Sequence, residues 1–259
     1  MPKTNFTDLT GRVAVVTGGT SGIGREISIG LAEAGAHVVP TGRRASLLPG
    51  ICKEIRSLGV RTLEIACDVG GRASVEALRD AVMTEFGQVD ILVNSAGVTA
   101  KRPTLDVDEE EWNRILNINL TGILRTCQAF YKPLAANKRG RIVNIASIAG
   151  FASLFQVAAY SSSKAGVIAL TKALAIEWGR EGINTNAIAP GVFRTEMNEK
   201  LLDGTERGRE YKLRTPLGRF GNIRELVGAA LLLSSDSASY INGATLAVDG
   251  GFLASGVNS

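Results

Sequence analysis

The chain has 259 residues, 45% hydrophobic and 21% charged, the make-up of a globular protein long enough to bury its own core. Its 29 basic and 25 acidic residues leave a net charge of +4, scattered along the chain. The short cluster Lys138-Arg139-Gly140-Arg141 has no interleaved aromatics, so no nucleic-acid partner is expected.

No apolar run approaches the ~18 residues that cross a bilayer, and the polar N-terminus lacks the apolar stretch of a signal peptide. Cys52, Cys67 and Cys127, with the single His37, have no zinc-like spacing. A membrane-free, metal-free protein in a reducing, cytoplasmic setting is expected.

In chain order, the apolar run 13–16 reads as a first strand. It leads at once into Thr17-Gly18-Gly19-Thr20-Ser21-Gly22-Ile23-Gly24 and a helix over 24–34. Glycines at a strand-to-helix turn let the backbone approach a pyrophosphate, whose charge the helix N-terminus favours. A second strand, 38–41, contains Pro40, which lacks a ladder donor and predicts a bulge or early fraying. It ends in Thr41-Gly42-Arg43-Arg44. A helix over 45–58, a strand over 63–66, Asp68-Val69 and a helix over 73–86 follow.

The strand 91–94 ends in Asn94-Ser95-Ala96-Gly97, and a long helix, 109–135, carries Asn119. Strand 142–146 is followed directly by Ser147, and helix 158–178 carries Tyr160 and Lys164. These two are four apart, hence on one helical face. Strand 184–188 precedes Pro190-Gly191 and the charged segment 195–219, whose length predicts a mobile substrate lid with helical content. A helix over 224–233 and a strand over 246–248 complete the chain. Seven strands alternating with six helices predict one α/β domain: a doubly wound, Rossmann-type parallel sheet covered on both faces.

The glycine loop, Asp68, Asn94-Ser95-Ala96-Gly97, Asn119, Ser147, Tyr160-x3-Lys164, Pro190-Gly191 and Asp249-Gly250-Gly251 together resemble the short-chain dehydrogenase/reductase family along nearly the whole chain. Ser95 departs from it, because the family usually has a second Asn there; Asn94, Ala96 and Gly97 still carry the turn expected beside the ribose. The resemblance implies a nicotinamide cofactor gripped by Gly18, Thr20, Ser21, Gly22, Ile23 and Gly24. It implies that Asp68 and Val69 flank the adenine, and that Val192 and Thr195 hold the carboxamide. Pro190, Gly191 and Met197 belong to the same cofactor-facing stretch. It also implies a homotetramer.

At the end of the second strand, Gly42 stands where NAD-using relatives carry Asp, and Arg43 and Arg44 follow. A 2′-phosphate meets no repulsion there and gains a charge-assisted partner. NADP(H) is therefore favoured, with NAD(H) possible.

The resemblance implies catalysis by Asn119, Ser147, Tyr160 and Lys164. Interconverting a ketone and a secondary alcohol needs a proton delivered to or taken from oxygen. A phenol of pKa ~10 is a poor base at neutral pH, and lowering it by about three units takes on the order of 4 kcal/mol. Lys164 is expected to supply part of that and to hold the nicotinamide ribose, Ser147 to hold the substrate oxygen, and Asn119 to anchor a water.

For the substrate, the stretch 191–200, the stretch 214–219 and Lys101-Arg102 resemble gluconate 5-dehydrogenases and related sugar-acid dehydrogenases. Arg102 or Arg194 is expected to meet a carboxylate. The alternatives are a 3-oxoacyl-acyl-carrier-protein reductase and, from another class, a nucleotide-binding regulator without turnover; against the latter, all four catalytic residues are present.

Overall fold

A computed structural model describes residues 6–194 and 199–256. Its strands are β1 (Val13–Thr17), β2 (His37–Thr41), β3 (Ile91–Asn94), β4 (Gly140–Ile145), β5 (Ile183–Pro190) and β6 (Thr245–Val248). All pair in parallel, in the order β2-β1-β3-β4-β5-β6. The helices are α1 (Gly22–Glu33), α2 (Leu48–Ser57), α3 (Arg72–Phe86), α4 (Glu109–Leu116), α5 (Gly122–Ala136), α6 (Ala158–Trp178), α7 (Glu199–Leu202), α8 (Glu206–Arg214) and α9 (Val227–Ser234).

Strand period two divides the core between the faces of the sheet. Val13, Val15, Val39, Leu92 and Ile142 pack on one side, with Leu78 of α3, Phe130 of α5 and Val167 of α6. Ala14, Val16, Val38, Ile91, Val93 and Val143 point to the other, against Ile27 of α1, Ile51 of α2 and Ala230 of α9. Both faces are covered, so the central strands read as continuous apolar runs rather than alternating ones.

Among the described residues the sheet has six strands, not the expected seven. Segment 63–66 runs beside β2 without joining it as a strand, and the reason is Pro40. Residues 37 and 41 bond toward β1, through His37 N–H to Arg12 O (2.8 Å) and Gly19 N–H to Thr41 O (2.9 Å). Residues 38, 40 and 42 therefore face the 63–66 side. Val38 N–H donates to Arg61 O (3.1 Å) and Gly42 O accepts from Cys67 N–H (3.1 Å), but Pro40, midway, has no N–H to give. Two anchoring bonds flank a gap. The fraying expected of Pro40 falls on the neighbouring segment, while β2 itself stays in register with β1.

The long helix expected over 109–135 is interrupted at Asn117–Thr121, where the turn widens into a π-helix between α4 and α5. Such wide turns redirect side chains and cluster at functional sites. Helical content is present in the predicted lid, with α8 capped by Thr205, whose Oγ accepts from Gly208 N–H (3.0 Å).

Among the described residues, no helix is long and apolar enough to cross a membrane, and no group of three or more His, Cys, Asp or Glu is arranged to hold a metal ion. The three cysteines are free and buried.

Candidate active site

After β2 the chain crosses back to place β3 on the other side of β1. Such a reversal opens a crevice at the C-terminal ends of the strands. The glycine loop lies there, pressed against the turn after β3. A Cβ on Gly18 would stand 2.7 Å from Ala96 N, and one on Gly24 only 2.3 Å from Gly18 O. Gly22 has open space around it but a φ of +53°, so its requirement is conformational.

Ser21 caps α1 with extended backbone and no side-chain cap bond, and the first turn holds no acidic residue. Its hydroxyl instead accepts from Arg44 Nη2 at 3.0 Å. The free N–H groups of that turn, the close-packed glycines and a neighbouring guanidinium fit the pyrophosphate of a dinucleotide.

Around this loop, Thr20 is buried against Gly42, where a Cβ would meet its Oγ1 at 2.9 Å. Ile23 is half-buried against the core, and Arg43 and Arg44 are exposed. Asp68 is exposed, its carboxylate accepting from Gly70 N–H (2.9 Å); Val69 is buried against Gly122.

Asn94 turns its side chain inward, with Nδ2 donating to Asn144 Oδ1 (2.9 Å) and Oδ1 accepting from Thr126 (2.7 Å). It can shape the turn through its backbone, which Ala96 and Gly97 continue. Pro190 ends β5. Gly191 lies so close to Asp249 that a Cβ would be 2.6 Å from its Cα, and Val192 O accepts from Gly221 N–H (3.0 Å). Thr195 and Met197 lie outside the described residues.

The four expected catalytic side chains converge at the ends of β3 and β4. Ser147 follows β4; its Oγ accepts from Ala149 N–H at 3.1 Å, which leaves its own proton for the hydrogen bond it makes with Tyr160. Tyr160 opens the first turn of α6. One turn on, Lys164 places Nζ 5.6 Å from the Tyr160 ring centroid and donates to Ile145 O at 2.7 Å.

Asn119 sits in the widened turn. Its Oδ1 accepts from Val98 N–H (2.8 Å), while Nδ2 donates to Val98 O (2.9 Å) and Ser163 Oγ (3.0 Å). Ser163 in turn donates to Tyr160 O (2.6 Å). Gly97 faces both: a Cβ there would be 3.5 Å from Asn119 Oδ1 and 3.8 Å from Lys164 Nζ.

Burial pushes the Tyr160 phenol above its ordinary value, the Ser147 hydrogen bond pulls it down, and nearby Tyr211 pushes it up again. Lys164 is buried with no carboxylate partner among the described residues, and burial lowers its ammonium to about 8. The lysine expected to lower the phenol is turned to the Ile145 carbonyl; Ser147 is the group that favours the phenolate here.

Tyr211 escaped the sequence reading. It comes from α8, and the available signal was the four-residue spacing between Arg207 and Tyr211 inside a segment read as a lid. Neither arginine expected at a substrate carboxylate is unpaired. Arg194 contacts Asp203 (2.6 Å) and Glu199 (3.4 Å), and Arg102 reaches Asp108 and Glu111, both at 3.5 Å.

Residues 18–253 match the family model described as enoyl-(acyl carrier protein) reductase. The chain is 42% identical over 244 residues to D-threitol dehydrogenase of Mycolicibacterium smegmatis, covering 94% of each. It is 38% identical over 247 residues to 2-dehydro-3-deoxy-D-gluconate 5-dehydrogenase of Escherichia coli, covering 95% of this chain and 97% of that protein. Among solved structures, gluconate 5-dehydrogenase of Burkholderia cenocepacia in complex with NADP and tartrate superposes with a TM-score of 0.93 at 35% identity, over 97% of this chain and 99% of that one. With this sheet and this glycine loop, such similarity over almost the full length makes the chain a member of the short-chain dehydrogenase/reductase family, NAD(P)-dependent oxidoreductases acting on CH–OH groups.

Proposed function

We propose that the chain interconverts a secondary alcohol and a ketone on a sugar acid, with Tyr160 moving the proton and NADP(H) as the preferred cofactor. The observation carrying this reading is the cluster of Ser147, Tyr160, Lys164 and Asn119 at the strand ends, Tyr160 half-buried and the other three buried, beside a loop that fits a pyrophosphate. The bound nicotinamide supplies or accepts the hydride.

The remaining chemistry belongs to this chain's side chains. In reduction the Tyr160 hydroxyl gives its proton to the carbonyl oxygen while Ser147 donates a second hydrogen bond to that oxygen. In oxidation the same proton returns. Lys164 lies one turn from Tyr160 with Nζ held by the Ile145 carbonyl, and Asn119 fixes the turn after β3 to α6.

For the cofactor, Arg43 and Arg44 stand exposed at the end of β2 with no acidic side chain at Gly42, and a solved relative carries NADP. Binding titrations with both reduced cofactors test this. NADPH is expected to bind tighter by about one to two decades, and R43L with R44L to remove the difference; tighter NADH binding by the wild type refutes it. Gly42→Asp is a poor probe, because its side chain would strike Thr20.

Sugar-acid specificity draws on the Escherichia coli and Burkholderia relatives. A neutral polyol is the second reading, favoured by the 42% identity to a threitol dehydrogenase. Assays of NADPH oxidation with 5-ketogluconate, erythrulose and a 3-oxoacyl thioester separate these: turnover of the thioester alone would overturn both.

In this reading 195–219 is the lid, with α7 and α8 as its helical part. The molecule is a cytoplasmic homotetramer, a state that light scattering reads. Ile176 on α6 and Leu246 on the edge strand β6 leave apolar surface exposed that such an assembly would cover.

A further inference from the structure

Arg207 and Tyr211 lie on one face of α8. Arg207 Nη2 donates to the Tyr211 hydroxyl at 3.1 Å, and its guanidinium carbon is 5.6 Å from the ring centroid. Tyr211 is held firmly. Its carbonyl accepts from both Thr215 N–H (3.0 Å) and Thr215 Oγ1 (2.8 Å), and its ring packs at 6.3 Å against Phe252. Thr215 itself fits only because Gly250 has no side chain, since a Cβ there would be 2.8 Å from Thr215 Cγ2.

These contacts fasten the end of α8 to the segment after β6, at the same end of the sheet as Ser147 and Tyr160. The Tyr211 hydroxyl lies near enough to Tyr160 for its charge to oppose ionisation of that phenol.

Most other described cations in and beside the lid are engaged, and Arg209, which has no partner among the described residues, is exposed to solvent. Arg194 pairs with Asp203 and Glu199, Arg214 with Glu210, and Arg219 with Glu225. Lys212 stands over the Phe220 ring at 4.7 Å. Arg207 is half-buried, unlike exposed Arg194, and has no acidic partner among the described residues. A partly desolvated guanidinium without a carboxylate is costly, and its remaining N–H groups form a fork that suits one.

We propose that Arg207, positioned by the Tyr211 hydroxyl, receives the carboxylate of an acidic substrate whose carbonyl lies at Tyr160, and that Arg102 and Arg194 do not. This rests on the sugar-acid reading above. The lid helix then contributes directly to specificity, and a neutral substrate forgoes the contact.

The test is steady-state kinetics with NADPH on 5-ketogluconate and on erythrulose, which is neutral, for the wild type, R207Q, Y211F, R194Q and R102Q. R207Q is expected to raise KM for the acid by about ten- to a hundredfold, while KM for erythrulose moves by less than about threefold. Y211F removes only the hydroxyl that holds the guanidinium and should shift the acid KM the same way, by less; R194Q and R102Q should leave it near wild type. Retained turnover of erythrulose by R207Q shows that the variant folds; should it not fold, Y211F decides.

Equal losses on both substrates, an unmoved acid KM in R207Q or Y211F, or an acid-specific loss in R194Q or R102Q would each overturn the assignment while leaving the sugar-acid reading intact. Failure of that reading shows earlier, in the wild type alone: turnover of erythrulose without turnover of 5-ketogluconate leaves Arg207 without a ligand and withdraws both.

Discussion

Tyr160 meets two opposed influences, burial that raises its phenol and the Ser147 hydrogen bond that lowers it. Tyr160→Phe removes the transferable proton but keeps the ring. Turnover should fall by about a hundredfold or more while cofactor affinity stays within about twofold; a variant keeping a tenth of wild-type kcat would exclude the acid–base role. Lys164 offers a test independent of catalysis. Burial lowers it from 10.5 to about 8 in the folded chain, so between those values the unfolded chain holds a proton that the folded chain lacks. Stability attributable to this group therefore rises with pH across that window, and below it the full penalty applies, on the order of 3 kcal/mol. Lys164→Met lifts the penalty and loses a hydrogen bond worth about 1 kcal/mol. Urea unfolding at pH 7 should show the variant more stable by about 2 kcal/mol, with the advantage shrinking toward pH 10. A variant less stable than wild type at pH 7 would show that the ammonium is better solvated than its surroundings indicate.

Among the elements, the glycine loop and the widened turn hold the site in register. Two glycines of the loop are required for different reasons, and substitution should separate them. Gly24→Ala drives a methyl into the backbone carbonyl of Gly18 at 2.3 Å, so the loop must move and cofactor affinity should drop by an order of magnitude or more. Gly22→Ala meets no atom within 4 Å and incurs only the left-handed backbone cost, about 1–2 kcal/mol of stability, with a smaller effect on binding. Calorimetric binding and thermal melts on the two variants distinguish them, and equal effects would mean that packing against Gly18 does not govern the loop. The π-turn at Asn117–Thr121 does comparable work for Asn119, whose three hydrogen bonds tie the turn after β3 to α6.

Across the whole molecule, the end of the sheet opposite the site is closed by charge. Arg12 and Arg141, both nearly buried at the start of β1 and β4, converge on Asp236 at 2.5 and 3.3 Å. They also donate to the Ser234 and Ser235 carbonyls, so the end of α9 is fastened to two strands at once. The Arg12 hydrogen bond holds the Asp236 carboxyl below its ordinary value of 3.8. Its contribution is complete above that value and is lost as pH falls through the lower folded value. Asp236→Asn removes the countercharge from two buried guanidiniums, but the carboxylate itself is 71% exposed, so water screens the pair and the loss at pH 7 should be about 1 kcal/mol, with no change in KM. Chemical denaturation with parallel kinetics reads both, and a shift in KM with unchanged stability would contradict a purely structural role.

Much was legible in local pattern. Strand 91–94 and helix 158–178 fall where their apolar periods put them, because both are decided by neighbours in sequence. The glycine loop and the spacing of Ser147, Tyr160 and Lys164 carried the family and the chemistry. The missing seventh strand was not legible, although its cause was: Pro40 denies a hydrogen bond to a segment more than twenty residues away. Local pattern could count the lid's arginines but not pair them. Only the tertiary structure engages Arg194 and Arg102 with acids, turns Lys164 to the Ile145 carbonyl and brings Tyr211 to Tyr160. The sequence by itself determined which residue types are available and at what spacing. Which charge meets which partner is a matter of distance through space, and only the folded chain decides it.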